Sequence, residues 1–361
     1  MQLTQLKING FRCYESLDLT FDQRINVFSG ANGAGKTSVL EAIYFLSTGK
    51  SFRSKRSKNL INHNSNELTV FAQYNDKDKF KNKIGVSLNK ALKKNIKFNS
   101  QKISNQSEIA HTLPVVSIDP DSYLFLDKPP QYRRSFLDWL VFHVKPEYLK
   151  IWSRVSRCQK QLNTLYKEKR QDQLGHWEKL YIEYADQLTE MRQAVFTELR
   201  DLIYIKVQLI IPELAELEIS FYQGWSKENT LAEQIQKDRE KNLVYGNLNQ
   251  GVHKMDIKNS IIHKPAHENL SRGQKKLISI IYYLSYIELL STQLKINPIL
   301  CLDDMDAELD TEKTKILCDF IQNSSNQAFI STVDPNKLMA LLKKTCLFHV
   351  EHNQISRLTT P

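Results

Sequence analysis

The octet Gly30-Ala31-Asn32-Gly33-Ala34-Gly35-Lys36-Thr37 constrains what this chain can fold into more than any other segment. It fits G-x-x-x-x-G-K-[ST] in full, and both flanks suit it. Ile25 to Ser29 reads as a strand, and beyond the turn Val39, Leu40, Ile43, Leu46 and Ser47 fall on one helical face. Backbone N–H groups of such a glycine-rich turn and of the helix start, including Ser38, cradle phosphate oxygens. Lys36 supplies a point charge and Thr37 a hydroxyl for Mg²⁺. The lysine side chain is expected to stand exposed, so that Lys36→Ala should leave the fold intact.

Two later segments complete a set. Ile299-Leu300-Cys301-Leu302-Asp303-Asp304 reads as an apolar strand ending in two carboxylates. Asp303 would hold Mg²⁺, directly or through water, and Asp304 would orient or deprotonate an attacking water. Leu270-Ser271-Arg272-Gly273-Gln274 opens the preceding helix. Ser271, Gly273 and Gln274 would present N–H donors and the positive end of the helix dipole to a γ-phosphate; alone, Ser271 reads as an ordinary N-cap. Ala307-Glu308-Leu309-Asp310 follows. Phosphate loop, insertion, LSRGQ, acidic strand end and ELD is the layout of ABC-type ATPases.

Between these segments the chain changes character. Alternating apolar residues at Leu6 and Ile8, then Leu17, Leu19 and Phe21, indicate strands. Further strands with lysine-rich turns are expected from Leu68 to Phe98, and Thr112 to Ile118 is another. From Arg133 to Pro212 helical periodicity dominates: Leu149, Trp152, Val155, Leu162 and Leu165, then Trp177, Leu180, Tyr184, Leu188, Met191, Val195, Leu199 and Leu202. These runs predict an antiparallel helical arm. Gly224 to Asn249 reads as a polar, flexible stretch. A helix over 274–290 and strands at 299–302 and 328–332 follow, with a closing strand pair around 346–355. The expected fold is α/β: a P-loop ATPase head split over residues 1–118 and 245–361, with a mainly helical arm at 119–244 inserted into it.

Composition narrows the partners. The formal charge is +10, and basic residues gather at Lys50, Arg53, Lys55, Arg56 and Lys58, with more lysines at 77–83 and 90–97. Each cluster alone suits a solvated face or a protected strand edge. Together they suit duplex phosphates, with Arg53, Lys55 and Arg56 as candidate DNA contacts. No apolar run reaches the roughly 18 residues of a membrane helix, so no membrane role is expected. Five scattered cysteines without C-x-x-C pairing indicate neither a disulfide framework nor zinc, which fits a cytoplasmic protein.

LSRGQ, the acidic pair and the distal ELD resemble the RecF family of ABC/SMC-like ATPases rather than a transporter subunit. Lys50-Ser51-Phe52-Arg53, Gln131 to Asp138 (QYRRSFLD) and Trp177 to Arg192 resemble family segments. Gly251-Val252-His253-Lys254-Met255-Asp256 departs from the usual G-P-H-R-x-D. The switch histidine of transporters has no counterpart; Thr332 stands where a hydroxyl would meet the γ-phosphate. Arg12 resembles an arginine that approaches nucleotide in SMC-like heads, and equally reads as a surface arginine after a turn. The lobe-joining glutamine has no clear candidate, Gln73 and Gln101 included. The resemblance implies an ATP- and Mg²⁺-dependent, weak and DNA-stimulated ATPase that dimerises on duplex or gap and junction DNA. RecR and RecO would then help load RecA, in replication restart and SOS induction, at the nucleoid. A structural SMC-type tether head and an OLD-type ATPase-coupled nuclease are the alternatives. The tether would need a long coiled coil, and the nuclease an acidic cluster in a further domain.

Overall fold

The computed structural model describes residues 1–54, 56–305 and 309–358, and the chain divides into two compact units: Met1–Tyr123 with Leu290–Pro361, and Leu124–Leu289. The first unit begins with the hairpin β1 (Gln2–Phe11) and β2 (Tyr14–Thr20), then β3 (Ile25–Ser29) and α1 (Lys36–Thr48). After them come β4 (Glu67–Asn75), β5 (Lys81–Asn89), β6 (Lys94–Phe98), β7 (Gln101–Ile103), α2 (Gln106–Thr112) and β8 (Val115–Ile118). In β4 and β5 every second residue is buried: Leu68, Val70 and Ala72, then Ile84, Val86 and Leu88. One-sided burial suits an antiparallel sheet, and these strands form one in the order β2-β1-β4-β5-β6-β7.

The second unit holds α3 (Pro130–Val144), α4 (Tyr148–Lys167), α5 (Leu174–Ile210), β9 (Leu217–Tyr222), α6 (Leu231–Lys237), α7 (Arg239–Tyr245), β10 (Asp256–Ile261), β11 (Lys264–Pro265), α8 (Ala266–Asn269) and most of α9 (Arg272–Leu294). Helices α4 and α5 run antiparallel: Tyr166 donates to Glu178 at 2.9 Å beside their connection, and Tyr148 reaches Arg192 at the far end. Their buried stripes match the expected ones at Val155, Leu162, Leu165, Leu188, Val195 and Leu199 and depart from them elsewhere. In α4 the stripe is Tyr148, Ile151, Val155, Cys158, Leu162 and Leu165, whereas Leu149 and Trp152 are each 43% exposed. In α5 Tyr181 and Ala185 are buried where Leu180 and Tyr184 were expected. Charge disguises the true stripe, because Glu178 and Arg192 occupy core positions with their partners beside them. Arg192 donates to Asp138 at 2.7 and 2.9 Å and to the Val252 carbonyl at 2.9 Å.

The arm ends later than residue 244. Strand β10 pairs with β9 from Asp256↔Tyr222 to Ile261↔Leu217, and Arg133 holds Asp256 through two hydrogen bonds of 2.8 and 2.9 Å. These links bind 245–289 to the arm. The stretch expected to be flexible carries α6 and α7, and α6 starts on a capping box of Thr230 and Glu233. Helix α9 is long and apolar enough to cross a membrane by length and composition, unlike the expectation above. Yet 67% of its most apolar window is buried in the protein, as in a core helix.

The chain returns to the first unit through β12 (Ile299–Leu302), α10 (Thr311–Asn323), β13 (Ala328–Thr332), α11 (Pro335–Leu341), β14 (Thr345–Glu351) and β15 (Gln354–Leu358). The second sheet runs β15-β14-β3-β13-β12-β8, parallel except for the edge strand β15. Every residue of β3, β12 and β13 is buried, as expected of parallel strands covered on both faces. Phe28 stacks on Phe348 with centroids 4.9 Å apart, and Phe21 meets Phe329 edge-on at 4.9 Å.

The Arg192–Asp138 pair gives a test of what fixes the arm. Arg192→Ala leaves a carboxylate without its counter-ion and should cost about 3–5 kcal/mol in urea unfolding, whereas Arg192→Met with Asp138→Leu should cost markedly less. Equal losses would mean that packing, not charge pairing, sets the price.

Candidate nucleotide-binding site

Strand β3 ends at Ser29, and the chain turns through Gly30 to Gly35 into α1. Two glycines here are obligatory. Gly35 has φ 113°, and a Cβ there would lie 2.6 Å from the Tyr14 hydroxyl. At Gly30 (φ 156°) a Cβ would lie 2.1 Å from the Val350 carbonyl oxygen. Helix α1 begins with no side-chain cap and no acid in its first turn. Its N–H groups ahead of Ser38 and its positive dipole end are therefore available to an anion. Ala34 N–H donates to Ala31 O at 3.2 Å and Ser38 N–H to Gly35 O at 3.0 Å, which tightens the turn, while Asn32 and Gly33 are exposed.

Lys36 is not exposed. Only 4% of it is accessible, and Nζ donates to the Gly30 carbonyl at 2.7 Å and the Ala31 carbonyl at 3.0 Å. The stem arches back across the loop, where those carbonyls are the nearest acceptors. Lys36 therefore also braces the loop.

The acidic strand end lies beside this loop. Thr37 Oγ1 donates to Asp303 Oδ1 at 2.8 Å, and Ser331 Oγ donates to the same oxygen at 2.7 Å. Asp303 N–H donates to Ile118 O at 2.8 Å, and Asp304 N–H to Ser331 Oγ at 2.9 Å. Asp304 has φ 48°, a left-handed conformation that aspartate tolerates better than most residues. Burial pushes the Asp303 carboxyl up; the Ser331 and Thr37 hydroxyls pull it down, the Asp304 charge raises it, and Arg53 lowers it. A hydroxyl and a carboxylate at contact distance, with a second carboxylate next in sequence, form an oxygen donor set of the kind Mg²⁺ takes with substrate phosphates. These residues fit the ion.

Ser331 was missed, and Thr332 was expected in its place. Thr332 is fully buried and donates to the Asp334 carbonyl at 2.9 Å. Side chains alternate along a strand, so one residue decides which of the two points at the site. Register would have identified it: Cys301↔Phe329 and Leu302↔Ile330 place Asp303 opposite Ser331.

The Arg12 guanidinium is held by groups of the protein itself. Its Nε and Nη2 bind the Glu41 carboxylate at 2.8 and 2.7 Å, and Nη1 donates to Asn59 O at 3.0 Å. Glu41 is fully buried on α1 and also accepts from the Ser51 hydroxyl. The arginine fixes the β1–β2 turn to α1. Arg53, expected among the DNA contacts, is exposed within electrostatic reach of Asp303 and Cys13. Arg56 is exposed as well; Lys55, Ala307 and Glu308 lie outside the described residues.

The LSRGQ segment belongs to the second unit. Ser271 Oγ accepts from Gln274 N–H at 3.2 Å, and Gln274 Oε1 accepts from Ser271 N–H at 3.0 Å. This reciprocal capping box fixes an exposed helix start, with Gly273 in its first turn. In the departing GVHKMD segment burial lowers the His253 imidazole to about 4, so it is neutral at pH 7, while Asp256 is the partner of Arg133.

Comparison with known proteins shows the family and the fold. The model of the RecF/RecN/SMC N-terminal domain matches residues 2–356. The DNA replication and repair protein RecF of Coxiella burnetii is 35% identical over 354 residues, covering 98% of each chain. RecF of Shewanella frigidimarina is 33% identical over 359 residues, covering 99% of each. A solved structure of the recombination mediator RecF with ATP superposes with a TM-score of 0.89 at 24% identity, covering 99% of this chain and 98% of that one. An SMC head bound to a ScpA domain gives 0.60 at 16% identity, covering 99% and 98%. Both structures share the α/β ABC/SMC-like fold.

Two substitutions test the site. Lys36→Ala should lower stability by about 1–3 kcal/mol in denaturant unfolding, because two charge-assisted hydrogen bonds disappear. Ser331→Ala should weaken Mg²⁺-dependent binding of a fluorescent ATP analogue by at least about tenfold, since a hydrogen bond to a charged group contributes about 1.5–3 kcal/mol. Thr332→Val should leave that affinity unchanged; the reverse ranking would return the role to Thr332.

Proposed function

Since the chain belongs to the RecF/RecN/SMC N-terminal domain family, as a RecF-type DNA repair protein, we propose that it is an ATP-dependent DNA-binding ATPase of recombinational repair and replication restart. The contact of Thr37 and Asp303 beside the phosphate loop carries this reading: a hydroxyl and a carboxylate at hydrogen-bond distance are the oxygen donors that Mg²⁺ on ATP phosphates would need. Loop and helix N–H groups hold the phosphates, and Lys36 exchanges its two carbonyl partners for phosphate oxygens. Mg²⁺ neutralises phosphate charge when bound. Asp304 takes the water proton or orients the water for in-line attack.

The capped start at Ser271 is exposed and offers N–H donors to a γ-phosphate held by a second copy of the chain. ATP would then act as the glue of a homodimer on duplex DNA near gaps. RecR and RecO would use that dimer to load RecA and sustain the SOS response. Slow, DNA-stimulated hydrolysis would release it. The protein would act in the cytoplasm, at the nucleoid.

Asp304→Asn should bind ATP and dimerise but hydrolyse at least about a hundredfold more slowly, within the range for loss of a general base. An unchanged rate would move that role to Glu308. Composite assembly has its own test. Ser271→Arg should bind ATP as a monomer without dimerising, and Lys36→Ala should lose ATP. Mixing the two pairs ATP on the first with the intact signature of the second, so activity should appear that neither has alone. Native activity in pure Ser271→Arg protein would mean that one chain completes the site.

A further inference from the structure

Helix α4 carries charge of one sign. Its twenty residues include Lys150, Arg154, Arg157, Lys160 and Lys167 and no Asp or Glu. All five are exposed, and their spacing keeps them on the side away from the buried Ile151, Val155, Cys158 and Leu162. At about 1.5 Å per residue the stripe is about 25 Å long.

Little in the protein neutralises it. Glu147 comes no closer than 3.9 Å to Lys150, and Arg154 lies over the Tyr184 ring at 5.0 Å. Arg157, Lys160 and Lys167 form no ion pair among the described residues. The adjoining α5 has exposed acids at Glu183, Asp186 and Glu190, and burial together with Glu190 raises the Asp186 carboxyl. Helix α5 also carries the exposed Lys179, so its surface mixes signs as surfaces shaped for solubility do, whereas α4 alone keeps to one sign. Like charges three and four residues apart also cost a helix about 0.2–0.5 kcal/mol per pair. A polyanion lying along α4 would turn that repulsion into attraction.

We propose that α4 is a duplex-DNA-binding ridge whose five cations lie along the phosphate backbone. The proposal rests on the DNA-binding reading above and assigns the main contact to the arm rather than to the turn at Arg53 and Arg56. Duplex fits better than single strand. Single-strand sites stack successive bases on aromatic side chains, and α4 offers one exposed ring, Trp152, because Tyr148 and Tyr166 are buried. Lysines and arginines along a backbone carry no base readout, so binding is independent of sequence.

The test uses the full chain with ATP and two unrelated 30-base-pair duplexes, read by fluorescence anisotropy across a salt series. The variant is Arg157→Glu/Lys160→Glu/Lys167→Glu. Each neutralised phosphate contributes about 0.9 to the slope of log K against log salt, so the slope should become shallower by about 2 to 3 on both duplexes. ATP affinity and thermal midpoint should stay native; if the glutamates disturb the fold, the triple glutamine variant should give the same loss of slope. Lys315→Glu/Lys343→Glu/Lys344→Glu changes net charge equally on exposed positions of the first unit and should keep the native slope. An unchanged slope in the α4 variant, or an equal loss in this control, overturns the ridge. A native protein that binds neither duplex instead refutes the DNA-binding reading beneath it.

Discussion

One carboxylate oxygen organises the first unit. Asp303 Oδ1 accepts from Thr37, 266 residues earlier, and from Ser331, 28 residues later, while the Asp303 N–H is held by the Ile118 carbonyl. The ends of β8, β12 and β13 and the start of α1 must all be in place before that oxygen has its partners. The hydrophobic core enforces this, since one cluster of buried side chains runs from β1 and β4 through α1 to β12, β13 and β14. Site geometry is therefore a property of the assembled parallel sheet. A burial that raises the carboxyl and hydroxyls that lower it leave Asp303 dependent on neighbours from three distant segments.

What could be read from the sequence was what local physics decides. The phosphate loop announces itself because a turn at positive φ against a close-packed neighbour admits only glycine, and β3, β12 and β13 stand out as short apolar runs. The split α/β head with an inserted arm follows from where periodicity changes. What escaped depends on pairing across the fold. Choosing Ser331 over Thr332 requires the register of β13 on β12. The inward fold of Lys36 and the capture of Arg12 by Glu41 depend on side-chain reach. In the arm, Glu178 and Arg192 break the apolar pattern although they lie inside, so the expected stripe departs by one residue around them and is in frame at Leu188, Val195 and Leu199.

Those interior charges also explain why distant segments of the arm belong together. Arg133 of QYRRSFLD meets Asp256 of GVHKMD, Asp138 of the first segment meets Arg192, and Glu178 meets Arg239. An ion pair out of water tolerates few alternative arrangements, because a displaced partner leaves a charge uncompensated. This holds for Arg133–Asp256 and Asp138–Arg192, whereas Arg239 reaches the buried Glu178 from the surface. The three pairs join α3, α5, α7 and the start of β10 in one register. The departure at residues 251–256 keeps the aspartate that this arrangement requires, while its histidine is neutral.

The strands that bracket the arm have a separate consequence. The excursion leaves after β8 and rejoins at β12, and these strands are direct neighbours, with Ile299 opposite Val115 and Leu302 opposite Ile118. The two strands run parallel, so the chain departs at the C-terminal end of β8 and returns at the N-terminal end of β12. The sheet's own hydrogen bonds hold these roots at opposite ends of one strand pair, roughly 10 Å apart along the strand direction. A module anchored in that way can grow, shrink or be exchanged without disturbing the layer that holds the phosphate loop. Variation in length is then mechanically cheap at this insertion, and the same layer can carry a short excursion or a long one.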